Sequence, residues 1–337
     1  MSYEIGILDQ CPVMDKESPS EALQHSIHLA QTAESLGYKR FWVAEHHNME
    51  QVASVSPEVF MSYLLAKTNS IEIGSGGVMI QHYSPYKVAE NFHILANLAP
   101  HRVNVGIGKA PGGLYLSTKA LQSGKMNDGA DFEERLTILK KFLDHHVPVG
   151  HPLHGVQATP LPDEKLPIFL LGSSESSAKF ATKLDAHFVF ARFLNHSDDV
   201  LQKVTKLHQE DNSQRKLIVA LAVLAAETEE KAKQLAQSIK LYDITFADGK
   251  TLTVQSDTQV IALQDQTTDE FTVRERVVPV IAGTAEQVKK QLDTLHDQYK
   301  IDEFIFHTPL LDRQARTTSF QLLGEAYEYK QKLQQVT

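Results

Sequence analysis

The chain has 337 residues, 42% of them hydrophobic, which suits a sizeable core and is long for one ordinary domain. Its formal net charge is −9 with no run of lysines or arginines, which argues against a nucleic-acid partner or an anionic membrane surface. Cys11 is the one cysteine, and the first residues lack a basic and then apolar leader, so a soluble, cytoplasmic protein is expected.

Eight short β-rich runs alternate with helical patterns along the chain. The first, Glu4–Leu8, precedes apolar residues at helical spacing from Ala22 to Leu36. Ser18, Pro19 and Glu21 there read as cap, first helical position and capping box, and Gly37 as the stop. The second run, Arg40–Glu45, ends abruptly in Glu45-His46-His47, three groups that can hold, give or accept protons. Ile71–Val78 follows, and Ser84-Pro85 opens a helix before Val103–Ile107. Ile168–Leu171, His187–Ala191 and Leu217–Leu224 come next. A second capping box, Thr284 with Gln287, precedes the last run, Glu303–His307.

Eight strands alternating with helices predict a parallel sheet, and eight is the number that closes a (β/α) barrel. The expectation is an α/β chain, residues 1–337, forming a single TIM barrel, ahead of an open doubly wound sheet. Two segments exceed ordinary loop length: 110–130 after the fourth strand, and 241–276, rich in Thr, Gln and Asp. Long insertions in compact domains serve as functional lids or stay disordered, and 241–276 reads as a candidate lid.

Several motifs suggest chemistry they do not support. Adjacent residues of a strand face opposite ways, so His46 and His47 cannot both reach one metal ion from regular β structure. His145, His146, His151 and His154 follow a helix, on the non-catalytic side of a barrel, so no metal is expected. VGIGKAPGG, Val105 to Gly113, lacks the third glycine of a dinucleotide fingerprint, since Pro111 stands there. Its glycines admit either a close backbone approach to a ligand or a tight turn. LLGSSESSAKFA, Leu170 to Ala181, ends a strand in glycine and opens a helix amid four serines. One serine suffices as a cap, and the surplus points to an anion at the helix start.

Taken in order, GILDQCPV, FWVAEHHNM, IEIGSGGVMIQHYSPYKVAENFHILANLAPHRVNVGIGKAPGG, LPIFLLGSSESSAKFATKL, HFVFARF, IAGTAEQVKKQLD and FIFHTPLLDRQARTTSFQLLGEAY span the whole chain. Together they resemble the bacterial luciferase-like family of flavin-dependent monooxygenases. The resemblance implies a TIM barrel with FMN held by its phosphate at the C-terminal ends of the strands. It also implies reduced FMN supplied by a separate reductase and used with O2, through a flavin peroxide, on a small organic substrate, aldehyde-like or otherwise apolar. A homodimer is implied as well.

Carried over by position, His46 is the family's catalytic histidine, titrating near neutrality. Gly76-Gly77 occupy a non-prolyl cis peptide beneath the flavin ring, where a side chain would crowd the ring. Ser174 and Ser177 match the hydroxyls that bind the phosphate. Lys109 stands where the family usually carries a phosphate-binding arginine, and lysine lacks arginine's planar two-point fork. Two alternatives therefore stay open: a flavin-binding protein or subunit without turnover, and a deazaflavin-dependent oxidoreductase on the same barrel. Glu45 and His47 are assigned supporting roles.

Overall fold

The structure, a computed structural model, describes residues 3–334 apart from 125–126, 212–214, 248, 250, 255 and 278. Eight parallel strands close into a barrel: Glu4–Asp9, Arg40–Val43, Glu72–Ser75, Val103–Gly108, Ile168–Gly172, His187–Ala191, Leu217–Ala225 and Glu303–His307. Closure runs through the seventh strand, which pairs with the sixth (Ala191 opposite Ala220) and with the eighth (Phe306 opposite Leu221). The eighth in turn pairs with the first (Ile7 opposite Phe306). Helices between the strands surround this barrel.

Local sequence explains the helix ends. Ser18 caps Pro19–Ser35 and Glu21 answers back to the Ser18 amide, while Gly37 takes a φ of +76° past the last turn. Thr284 and Gln287 repeat the reciprocal box at Ala285–Tyr299. Alternation along the strands then sorts side chains into two cores. One face of each strand packs against the helices, through residues such as Ile7, Phe41, Val43, Ile73 and Phe306. The other fills the barrel interior with Leu8, Trp42, Ala44, Phe169, Val189, Ile218, Ala220 and Ile305.

The interior is graded along the barrel axis. At the N-terminal ends of the strands, Arg40 donates to Glu303 at 2.5 and 3.0 Å and to Asn104 at 2.7 Å, and pairs with Glu72 at 3.0 Å. This polar plug is desolvated and fully partnered, as buried charge must be. Towards the C-terminal ends the interior residues become small: Ala44, Gly76 and Ala222. The C-terminal ends of the strands are where barrel enzymes place their chemistry.

Two segments depart from the sequence expectation. The third strand does not run unbroken from Ile71 to Val78: it stops at Ser75 and resumes as Val78–Met79 on the fourth strand, the Gly76–Gly77 peptide between them being cis. The insertion 241–276 is an ordered unit rather than a loop. Lys240–Phe246, Thr251–Val254 and Phe271–Val277 form a three-stranded antiparallel sheet, joined by the helix Asp257–Gln266. The chain then returns to the barrel as Ile281–Gly283, alongside Val223–Ala225. The 110–130 segment contains a short helix, Tyr115–Leu121. No helix among the described residues is long and apolar enough to cross a membrane.

Candidate active site

The second strand ends at Val43, and Glu45-His46-His47 continue beyond it at the mouth. Glu45 and His47 turn the same way, as alternate residues of extended chain do: His47 Nε2 lies 2.7 Å from Glu45 Oε1. Glu45 is fully buried and also accepts from the Tyr83 hydroxyl at 2.7 Å and the Met79 amide at 3.0 Å. Burial, with the Glu45 charge behind it, pushes the Tyr83 phenol up, which keeps it a donor to the carboxylate. Glu45 therefore ties the second-strand loop to the residues that follow the cis peptide. His47 is anchored again through its amide, which donates to the Gly112 carbonyl at 2.8 Å.

His46 points away from this network. Its Nδ1 is enclosed and has no hydrogen-bond partner among the described residues. Burial, and next the neighbouring His47, push its pKa down to about 4, not near neutrality as the sequence suggests. Desolvation outweighs the Glu45 carboxylate, so His46 is a neutral imidazole through the physiological range.

A second imidazole belongs to this site and has no counterpart in the sequence reading. His307 ends the eighth strand on the same face as Ile305, inside the barrel, and is 7% exposed. Its pKa is pushed to about 3 by burial and then by Arg316, with His46 close enough to contribute. Its Nδ1 also lacks a partner among the described residues, and the Phe193 ring lies 5.5 Å away, centroid to centroid. The register explains the pairing of the two histidines: the first strand alone separates the eighth from the second. The sequence signal was a polar residue at the inward phase of an apolar strand, legible only once closure fixes which phase is inward.

The glycines turn out to serve strand packing. A Cβ on Gly77 would lie 2.8 Å from the Gly106 backbone, and one on Gly76 would lie 2.4 Å from Leu8 Cδ1. Gly106 is tighter still, 1.8 Å from the Ser75 carbonyl oxygen, and the Ser75 hydroxyl bonds both the amide and the carbonyl of Gly106. These contacts are with protein, and close approach of neighbouring strands favours glycine at 76, 77 and 106.

Ser174 caps the helix Glu175–Leu184, and its Oγ lies 2.9 Å from that of Ser177 and 3.0 Å from that of Ser176. Three hydroxyls thus gather at one helix start. Lys109 follows the fourth strand, exposed, with its ammonium 5.8 Å from the centre of the Phe132 ring. No hydrogen bond among the described residues joins it to Ser174 or Ser177. The histidines set aside above behave as packing groups: His145 stacks edge-on against His93 at 5.1 Å, and His154 Nδ1 meets the Val147 carbonyl at 3.1 Å. Among the described residues no group of three or more His, Cys, Asp or Glu is placed to hold a metal ion.

Comparison with known proteins agrees with this architecture. The chain is 41% identical to N-acetyl-S-alkylcysteine monooxygenase of Bacillus subtilis (strain 168) over 325 residues, covering 96% of this chain and 97% of that protein. It is 31% identical to a luciferase-like monooxygenase of Escherichia coli (strain K12), covering 96% of each. Among solved structures, apo-MsnO8 superposes with a TM-score of 0.77 at 29% identity, covering 97% of this chain and 99% of that one. The family profile described as luciferase-like monooxygenase matches residues 3–299. The chain belongs to the luciferase-like monooxygenase family.

Proposed function

We propose that this chain is an FMN-dependent monooxygenase that oxygenates a small thioether of the N-acyl-S-alkylcysteine class. The observation that carries the reading is the pair of enclosed imidazole nitrogens, His46 Nδ1 and His307 Nδ1, at the C-terminal ends of the second and eighth strands, neither with a partner among the described residues. Buried polar atoms are almost always satisfied, so such orphans mark where a ligand completes the site. The relative at 41% identity supplies the substrate class.

The residues present fit a flavin mononucleotide. The Ser174, Ser176 and Ser177 hydroxyls and the helix start suit a phosphate, with Lys109, after the neighbouring strand, as the cation it would draw. Reduced FMN, when bound, supplies the two electrons that let O2 give one atom to the substrate and one to water. The protein's part is to hold, orient and exclude water. His46, neutral, donates or accepts a hydrogen bond at the reacting oxygen without bringing a charge into an apolar chamber. Glu45, Tyr83 and His47 fix the loop on which His46 stands. In this reading a separate reductase supplies the electrons, as the resemblance to the family implies.

The test is coupling. With reduced FMN, O2 and N-acetyl-S-methylcysteine, the parent should yield a product heavier by one oxygen atom. His46→Ala should fold and bind FMN normally but form product roughly 10²-fold or more slowly, the scale of losing a positioned acid–base group. Tight FMN binding without any oxygenated product from the parent would favour the flavin-holding alternative. Preference for a deazaflavin over FMN in the same binding assay would favour the other.

A further inference from the structure

The loop that carries His46 is held from a second side, by a segment to which the chemistry above gives no part. Residues 110–131 follow the fourth strand, and an imidazole ties them to that loop. His82 ends the short turn Ile80–His82, after the cis peptide and before the helix Pro85–Leu98. Its Nε2 lies 2.8 Å from the Pro111 carbonyl oxygen, and its Nδ1 lies 3.1 Å from Gln122 Nε2.

Hydrogen-bond chemistry fixes the role of each nitrogen. A carbonyl oxygen only accepts, so Nε2 carries the proton and Nδ1 presents its lone pair. The Gln122 amide answers with one N–H and gives its other to the Asn127 carbonyl at 3.0 Å. Its oxygen accepts from the Asn127 amide at 2.6 Å, so turning the Gln122 amide over would break three bonds at once. Neutral His82 with its proton on Nε2 is the form that satisfies both partners.

From Gln122 the bonds run round to the His46 loop. Asn127 donates to Asp131 at 2.8 Å, and Arg135 donates to Asp131 at 2.7 Å and to the Tyr83 carbonyl at 3.0 Å. The Tyr83 hydroxyl donates to Glu45, which meets the His47 ring. The His47 amide in turn donates to Gly112, the residue after Pro111. The circuit is closed, and it passes through the residue next to His46. Placement matters there, because a shift of about 1 Å can cost a reacting group roughly 10²-fold in rate.

We propose that His82 is a positioning residue for the oxygenation. By holding Pro111 and Gln122 together it keeps the Gly112 carbonyl on the His47 amide, and so fixes where the His46 ring stands. The proposal rests on the role given to His46 above. Both ring nitrogens of His82 are spent on protein partners, so it acts through His46 rather than on the substrate.

The experiment compares the parent with His82→Ala, His82→Gln and Asn97→Ala, each checked for unchanged thermal unfolding. Glutamine at 82 keeps a side-chain N–H for Pro111. Asn97, at the far end of the helix Pro85–Leu98, donates to the His93 carbonyl at 2.8 Å and the Pro160 carbonyl at 3.2 Å, and controls for the loss of two bonds. In the flavin-free protein, NMR should find the His82 proton on Nε2. The His46 ring signals should shift or broaden in His82→Ala, return towards the parent's in His82→Gln and stay in place in Asn97→Ala. With reduced FMN, O2 and N-acetyl-S-methylcysteine, His82→Ala should lose about 10- to 100-fold in kcat, with KM and FMN affinity nearly unchanged, and His82→Gln should recover most of the loss. A proton on His82 Nδ1, His46 signals unmoved by His82→Ala, or an unchanged kcat would overturn the proposal, as would an equal effect from Asn97→Ala. If the parent leaves the thioether untouched, or His46→Ala turns over like the parent, the functional reading fails instead. The NMR comparison then still decides whether His82 positions His46. Should His82→Ala not fold, Gln122→Ala takes its place, since it opens the same circuit one residue further on.

Discussion

Lys109 sits where two attractions compete. Its ammonium lies over Phe132, and an exposed cation–π contact contributes only about 0.5–1 kcal/mol. A charge-assisted bond to phosphate contributes about 1.5–3 kcal/mol, so a phosphate at the Ser174 helix start should draw the flexible side chain off the ring. FMN should therefore bind more tightly than riboflavin, which lacks that phosphate, by roughly one to two decades. Lys109→Ala should weaken FMN by that amount and riboflavin hardly at all. Lys109→Arg should match or exceed the parent, because the fork restores two-point contact. Fluorescence titration of both flavins decides it: an alanine variant that loses equal affinity for both removes Lys109 from the phosphate site. The contrast with His46 is instructive at this scale. His46 was legible because it breaks an apolar run in a motif, whereas His307 closes an apolar strand. Its significance comes from barrel closure and from a neighbour far away in the chain, Phe193.

Most elements were legible because their signals are local. Caps at Ser18 and Thr284, glycine at 37 and short β-branched runs between helices depend only on near neighbours, and the barrel strands fall where these signals put them, save that the third breaks at Ser75. The insertion was not. Leu241 to Phe246 and Phe271 to Val277 do alternate, but their pairing partners lie across a polar segment, and each strand alone is too exposed to show a clear apolar face. Once assembled, the unit leans on loops at the C-terminal end of the barrel. Ile244, Val254 and Leu263 pack on Leu114 of the fourth-strand loop, and Gln259 reaches Met49 of the second-strand loop at 3.4 Å. A structure held on these loops by a small apolar contact can open at low cost compared with the barrel, as a lid must. FMN with N-acetyl-S-methylcysteine should slow proteolytic cleavage within 240–277 severalfold. Leu263→Ala, which removes a buried side chain worth about 2–5 kcal/mol, should speed cleavage there while the barrel's unfolding temperature holds. Equal cleavage with and without both ligands would sink the lid.

At the scale of the whole molecule, two neighbouring outer helices carry exposed apolar side chains. Val59 and Tyr63 on the helix Pro57–Lys67 are 72% and 47% exposed, and Ile94 and Leu98 on the helix Pro85–Leu98 are 43% and 67% exposed. Single exposed apolar residues are ordinary, but these stand one helical turn apart on two neighbouring helices, with Val55 beside them at 50%. The same helices are poor in charge. Pro57–Lys67 carries only Glu58 and Lys67, and in Pro85–Leu98 Lys87 and Glu90 neutralise each other at 3.1 Å. In a chain of net charge −9, such a face is where a second copy meets least repulsion. Two-fold pairing brings the same patch from each copy together, and each large apolar side chain buried contributes about 1.5–3 kcal/mol. The protein should therefore run as a homodimer in sedimentation at micromolar concentration. Val59→Glu combined with Leu98→Glu should give a monomer with an unchanged circular-dichroism spectrum, because both positions are exposed in the isolated barrel and four like charges would face one another in the pair. A parent that sediments as a monomer, or a double variant that stays dimeric, would place the contact elsewhere.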